Sequence, residues 1–433
     1  MDQQVLPSYQ SYKDTDLPWL ERIPSHWELV RKKYIFKERV QKGFPEEPLL
    51  AATQSQGVVR KTDYEARTVE ASKDFHLLKL VKEGDFVISL RSFEGGIEYA
   101  YHQGIISPAY TVLIPRNRAE ASYHKHLLKS QSFIQGLRLF VTGIREGQNI
   151  DYTKLSRAEL PCPPADECGR IANFLDQKTA EIDEAIANKQ RLIVLLKEQK
   201  AILINQAVTK GLNPDAPMRD SGVAWIGDVP SHWDIKRLRV IGFTQNGISA
   251  GAEFFGSGFP FVSYGDVYNH RELPRQVNGL AKSSTHDRIQ YSVERGDVFF
   301  TRTSETVEEI GFSSTCMETI ENATFAGFLI RFRPEKDHLL PEWSKYYFAA
   351  QIHRNYFVGE MNLVIRASLG QSLLKGLPVL IPPKEEQVKI FRHLEKVSND
   401  FERSIFLQQQ QIEKLNEFKS ILISNVVTGK IKL

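Results

Sequence analysis

Two stretches of the chain carry apolar residues at spacings of three and four, the pattern of long amphipathic helices. The first holds Ile171, Leu175, Ile182, Ala185, Leu192, Leu196 and Leu203. The second holds Ile390, Leu394, Val397, Phe401, Leu415, Phe418 and Leu422. Lys178, Lys189, Gln408 and Gln411 interrupt these seams, so the pattern is an imperfect coiled coil. Pro163-Pro164 precedes Asp166 and Glu167, and Pro382-Pro383 precedes Glu385 and Glu386. Proline at a helix start sacrifices no hydrogen bond, and acids there meet the positive end of the helix dipole. Gly211 and Gly429 suit the C-terminal stops. About 40 residues of helix span roughly 60 Å. An amphipathic helix of that length needs something to cover its stripe, and the best partner in the chain is the other helix.

Between these stretches the pattern changes. Residues 85–90 and 297–301 are short apolar or β-branched runs, as are residues 110–114 and 328–332. Gly, Pro and Asn punctuate them, which predicts mixed α/β bodies with several strands. The segment from Lys210 to Asp220, with Asn213-Pro214-Asp215-Ala216-Pro217 inside it, reads as a linker.

The elements come in duplicate. Trp19-Leu20-Glu21-Arg22-Ile23-Pro24-Ser25-His26-Trp27 returns as Trp225-Ile226-Gly227-Asp228-Val229-Pro230-Ser231-His232-Trp233. Gly84-Asp85 returns as Gly296-Asp297, and Pro163-Pro164 as Pro382-Pro383. From Leu155/Leu374 through Thr209/Thr428 the two copies align without a gap, so insertions fall in the bodies. A repeat this long points to two domain-plus-arm units, not to a solenoid. The expected order is a body at 1–160, a long helix at 161–210, a linker at 211–221, a second body at 222–381 and a second long helix at 382–433. The fold class is α/β (α+β), with an internal pseudo-twofold repeat. A twofold across the arms makes the helices antiparallel and puts a body at each end of a rod, which is an object that measures distance. If each body binds one DNA half-site, the rod fixes their spacing, and the divergence of the bodies makes the half-sites unlike.

Length and composition narrow the class. A chain of 433 residues suggests two to four domains, and 41% apolar with 25% charged residues is ordinary for folded soluble proteins. The net charge of +3 neither demands nor excludes nucleic acid, because a basic face can hide in a neutral total. Cys162, Cys168 and Cys316 are too few and too scattered for a disulfide framework, and they read as free thiols of a reducing cytoplasm. The polar start has no apolar core of a signal peptide, and no apolar run approaches the roughly 20 residues of a membrane span. The expectation is a soluble cytoplasmic protein with no membrane partner.

A search for catalysis assigns no catalytic residue and no metal ligand. There is no phosphate-cradling Gly-x-x-x-x-Gly-Lys-Ser/Thr loop, no Gly-rich cofactor loop after a strand, and no paired His or Cys at ligand spacing. Glu198-Gln199-Lys200 and Glu417-Phe418-Lys419 imitate a nuclease Glu-x-Lys but fall in the arms, where they read as solvated helix charges. His26 and His232 belong to segments that read as structural clasps, since two indoles bury large area and proline fixes the turn. Gly84-Asp85 and Gly296-Asp297 read as turns into strands.

DNA contact is the more open chemistry. Arg91, Ser92, Arg145, Gln148 and Asn149 stand in polar stretches of the first body. Arg302, Thr303, Ser304, Asn362, Arg366 and Gln371 stand similarly in the second. Arg reads guanine bidentately, Asn and Gln read adenine, and Ser and Thr hold phosphates.

The whole pattern, from about Asp14 to Leu433, resembles the specificity subunits of type I restriction–modification systems. The most specific parts are the opening Trp225 to Trp233, its weaker copy at Trp19, and the joint Leu377-Pro378-Val379-Leu380-Ile381-Pro382-Pro383-Lys384-Glu385-Glu386-Gln387. The first joint departs from the family with Cys168 in place of the usual Gln, and the first opening has Asp16 where the second has Gly222. The resemblance implies two target recognition domains, each reading half of a bipartite double-stranded DNA site. It implies long helices that dock two methyltransferase (modification) subunits carrying S-adenosylmethionine. It also implies restriction/translocase subunits using ATP and Mg, and no cofactor or active site in this chain. Two other classes remain: a coiled-coil adaptor without sequence-specific DNA reading, and a self-contained DNA-modifying enzyme.

Overall fold

The computed structural model describes residues 7–64, 74–143, 149–302, 310–335, 338–353, 356–357 and 369–433. The chain forms two compact units, one of Met1–Gln190 with Gln409–Leu433 and the other of Arg191–Gln408. Helix α1 (Ala165–Lys210) and helix α2 (Lys384–Val427) are continuous over 46 and 44 residues. Each unit therefore holds one body and a half of each long helix, so the units cut across the arms instead of separating arms from bodies.

Within the first unit the helix halves run antiparallel. Lys419 Nζ meets the Asp183 carboxylate at 2.6 Å, and Lys189 further along α1 meets Gln411 earlier along α2. In the second unit Lys200 meets Glu402 at 2.7 Å. The buried stripe follows the sequence expectation at Ile171, Leu175 and Ile182 of α1 and at Ile390, Leu394 and Leu422 of α2, and departs from it at single positions. On α1 it passes through Leu175, Ile182, Ile186, Ile193 and Ile204, whereas Leu192 is exposed. On α2 it passes through Ile390, Leu394 and Leu422, whereas Phe418 is exposed. Alternating steps of four and three from Leu175 reach Ile193 through 179, 182, 186 and 189, whereas steps of three and four reach Leu192. Leu192 and Phe418 belong instead to a second apolar stripe.

Both bodies are built on the same small sheet. In the first unit the strands are β1 (Phe36–Arg39), β2 (Phe86–Ile88), β3 (Glu98–Tyr99) and β4 (Thr111–Pro115), in the order β1-β4-β2-β3. In the second they are β5 (Gly242–Asn246), β6 (Val298–Thr301), β7 (Ser313–Thr315) and β8 (Leu329–Pro334), in the order β5-β8-β6-β7. All neighbours are antiparallel, with Val112 opposite Val87 in one sheet and Phe300 opposite Ile330 in the other. Buried runs such as Phe86-Val87-Ile88 and Val298-Phe299-Phe300 explain why these segments are strands covered on both faces.

Each body closes on itself. Glu28–Arg31, just after Trp27, pairs with Glu159–Cys162, just before Pro163. Asp234–Arg237, after Trp233, pairs with Pro378–Ile381, before Pro382. The joints are thus strands that deliver the chain into a helix start. The expected linker ends in a strand, Met218–Asp220, which pairs with Asp228–Pro230. The first core gathers Trp27, Tyr123 and Phe133 with Ile171, Leu175 and Val426 from the helices. The second gathers Trp233, Trp343 and Tyr347 with Val208, Ile390 and Leu394.

Candidate nucleic-acid interface

The Trp-Pro-His-Trp openings are clasps. Trp27 and Trp233 are fully buried. His26 Nε2 lies 2.8 Å from Glu167 Oε2, and His232 Nε2 lies 2.8 Å from Glu386 Oε2. Glu167 and Glu386 each stand in the first turn of a long helix, so the clasp ties the opening to a helix start. The ends of the helices meet the same openings. Gly429, with φ of +73°, has no space for a Cβ against Pro24, and Gly211, at φ +71°, lies against Trp233. Both histidines are thus held by structural partners, as the clasp reading expects.

The Gly-Asp turns do more than start strands. Asp85 is buried and takes two hydrogen bonds from Arg39, at 2.7 and 3.0 Å, and one from the Lys82 amide at 2.8 Å. Asp297 is buried and takes two from Arg333, both at 2.6 Å, and one from the Glu294 amide at 2.8 Å. Charge-assisted bidentate pairs of this kind fix the geometry around the strand start. Sequence reading missed both arginines, because each comes from a distant strand.

Two buried histidines are held neutral. His124 and His353 each set Nδ1 on a backbone carbonyl, of Glu120 and of Ala350, and burial lowers the pKa of each to about 4. Lys32 is also buried, with its ammonium over the Phe133 and Phe140 rings, and burial lowers its pKa to about 7. The three cysteines carry no disulfide, and burial pushes their thiols up to about 12. Among the described residues no group of three or more His, Cys, Asp or Glu could hold a metal ion. No described helix is long and apolar enough to cross a membrane.

The candidate DNA contacts that are described fall at one end of each sheet. In the first unit Arg91 is exposed just beyond β2, at the start of a short helical turn, Ser92–Gly95, that packs against Asn149–Ile150. Ser92 is buried, and its hydroxyl accepts from the Ser89 amide at 2.8 Å, so it shapes the turn that presents Arg91. Asn149 is exposed, with Oδ1 accepting from the Ile150 amide at 2.8 Å. In the second unit Arg302 follows β6. Its amide donates to the Phe328 carbonyl at 2.9 Å and its carbonyl accepts from Leu369 at 2.7 Å. Gln371, two residues beyond Leu369, accepts from the Thr244 hydroxyl on β5 at 2.9 Å. The structure therefore brings Arg91 near Asn149, and Arg302 near Gln371. Arg145, Gln148, Thr303, Ser304, Asn362 and Arg366 lie outside the described residues.

Residues 230–416 match the family model described as the type I restriction modification DNA specificity domain. The chain is 24% identical over 335 residues to the type I restriction enzyme EcoKI specificity subunit of Escherichia coli strain K12, covering 74% of this chain and 68% of that one. The chain is similar to the type I restriction enzyme specificity subunits. A second relative, the StySPI specificity subunit of Salmonella potsdam, is 20% identical over 329 residues, covering 74% and 67% of the two chains. The fold agrees with solved structures. One, described as the structural basis underlying complex assembly and conformational transition of the type I R-M system, gives a TM-score of 0.68 at 16% identity over 94% of this chain and 98% of that one. The HsdS subunit from Thermoanaerobacter tengcongensis gives 0.52 at 15% identity, with the same coverage. The matched specificity domain starts at Pro230 in the second clasp and ends within α2, so it takes in the second body, its joint and the start of its helix.

Proposed function

We propose that this specificity subunit reads double-stranded DNA with its two bodies, one for each half of a bipartite, asymmetric site. It is a recognition subunit without a catalytic step of its own. The observation that carries the reading is a duplicated frame with divergent sheet ends: the clasps, the Asp–Arg pairs and the strand order repeat, while the residues at one end of each sheet do not. A fixed frame under variable contacts is how one scaffold serves two different sequences.

The long helices dock two methyltransferase (modification) subunits, and restriction/translocase subunits join that complex in the cytoplasm. The exposed second stripes support this docking. Leu192, Leu195, Ile202, Phe406 and Leu407 are exposed in the second unit, and Phe418 and Ile421 in the first, on helix faces turned away from the buried seam. S-adenosylmethionine belongs to the methyltransferase subunits, ATP and Mg to the restriction subunits, and no cofactor to this chain.

Exchange of residues 222–381 for the corresponding body of another specificity subunit tests the division of labour. The expected result is a methylated motif changed in one half only, with the other half retained. A motif changed in both halves, or in neither, contradicts it.

A further inference from the structure

We infer that Lys129 is a specificity-determining positioning residue of the first unit: its ammonium staples down the turn that carries Arg91 and so aims that guanidinium at DNA. The inference rests on the DNA-reading function proposed above. Lys129 Nζ donates to the Glu98 carboxylate at 2.8 and 3.0 Å, to the Gln54 carbonyl at 2.9 Å and to the Gly95 carbonyl. An ammonium has three protons, and three acceptor groups take them. Gln54 lies in the turn of the hairpin formed by Leu50–Thr53 and Gly57–Arg60. Gly95 ends the turn Ser92–Gly95, and Glu98 opens β3. One side chain therefore ties three separate segments together beside Arg91.

The turn is held tightly on that side. A Cβ on Gly95 would stand 2.6 Å from Gln54 Cγ, and one on Gly96, at φ +86°, would stand 2.5 Å from Leu128 O. The Gly96 amide closes the turn on Ser92 O at 2.8 Å, and the Ile97 amide donates to Leu128 O at 3.1 Å. Lys129 is itself fixed. Its amide donates to His126 O at 3.2 Å, and the next residue, Ser130, caps the helix Gln131–Leu137. The turn is thus packed to bare backbone against the segment from which Lys129 reaches over it.

The shared frame does not require this device. Glu98 stands opposite Val87 in the first sheet, and in the second Ser314 takes that register opposite Phe299. Lys129 comes two residues after the helix Arg118–Leu127, and Ala349 comes two residues after the helix Pro341–Tyr347. The second body keeps the frame with neither charge. Glu98 is 2% exposed, and burial pushes its carboxyl up to about 7 against the pull of Lys129. A charge pair that costs desolvation, sits under a candidate contact and is replaced by Ser and Ala in the sister body serves specificity over stability.

The test uses the complex of this chain with its methyltransferase subunits, reading the methyladenine motif and the methylation rate on duplexes with single base-pair changes. Arg91→Ala is expected to relax one position of one half by about tenfold. Lys129→Met keeps the stem and removes the ammonium, and it should relax the same position several-fold. Lys129→Arg can still donate to the same acceptors and should retain most of the discrimination. Lys129→Met added to Arg91→Ala should relax that position no further, because Lys129 acts through Arg91. Lys129→Met combined with Glu98→Gln leaves no buried charge unpaired and should give the same relaxation, so the result is readable even where the single variant fails to fold. Lys125, which donates to Asp176 at 2.7 Å in the same unit, supplies the control, and Lys125→Met should leave the motif unchanged. Relaxation by Arg91→Ala without relaxation by either Lys129→Met variant overturns the staple and leaves the DNA-reading function standing. So does a further relaxation when Lys129→Met is added to Arg91→Ala, an equal effect of Lys125→Met, or a split motif that Arg91→Ala leaves unchanged. A wild-type complex that methylates no split motif overturns the function and the staple together.

Discussion

The two units share a frame and differ where that frame meets the outside. Each has a buried Trp beside a His–Glu clasp, a buried Asp under a bidentate Arg, and a four-stranded sheet of the same strand order. Even the frame is not copied residue for residue. Arg39 reaches Asp85 from β1, the sheet edge, whereas Arg333 reaches Asp297 from β8, the neighbour of β6. Glu167 also takes the Tyr9 hydroxyl, whereas Glu386 takes the Trp233 indole N–H at 3.0 Å. At the sheet end the contrast is larger. The second unit shows Phe328, Arg302 and Phe312, and the first shows Val40 and Leu90, with Arg91 one residue further on. The lesson is that geometry repeats through interactions, even where the residues supplying them change, and that recognition chemistry is free to diverge once the geometry is held.

The largest expected effect tests the shared frame. Asp85→Ala strands the buried Arg39 guanidinium and should destabilise its unit by about 3–5 kcal/mol in denaturant unfolding, and Asp297→Ala should cost less, because the half-buried Arg333 keeps Glu294. A large loss for one and none for the other would break the equivalence of the two turns. Acid comes next. His124 and His353 titrate near 6.5 when unfolded and about 4 when folded, so the unfolded chain binds more protons between those values. Stability from these residues is complete above pH 6.5 and is lost as pH falls toward 4. From pH 7 to 5 the loss is about 2 kcal/mol per histidine, and replacing either with a neutral residue should flatten the pH slope by that share.

Arg91→Ala sharpens the functional side of the comparison. It should relax the half of the motif that Arg302→Ala leaves alone, at a cost of about 1–3 kcal/mol in discrimination at one position. Both substitutions relaxing the same half would contradict one body per half-site. The smallest effect concerns the clasps. Their histidines are half-exposed, so His232→Ala should cost about 1 kcal/mol or less. His26→Ala should cost more, because Glu167 is buried whereas Glu386 is partly solvated, each keeping one other donor. Thermal unfolding of the two variants checks the order.

Much of this architecture was legible in the residues. The helices announced themselves through a sustained 3.5-residue pattern with Pro-Pro before and Gly after, and the clasps through a repeated pair of tryptophans. The seam was legible except at positions such as Leu192 and Phe418, because a second apolar stripe runs beside the first and Leu192 fits either pattern. The Arg39–Asp85 and Arg333–Asp297 pairs were hidden because partners on different strands, one set of them exchanged between the copies, leave no local spacing. Phe328 was hidden for the same reason: only strand pairing reveals that it stands opposite Arg302. Of the candidate contacts, Arg91 and Arg302 were reachable from the polar stretches after a strand, whereas burial of Ser92 depends on a turn that composition does not reveal.

The most direct test of the central claim is co-expression with the methyltransferase subunits in a methylation-free host, followed by genome-wide mapping of methyladenine. The account predicts a single split motif with a fixed gap and two unlike halves. A stable complex that methylates no defined motif, or one whose halves are identical, would contradict it.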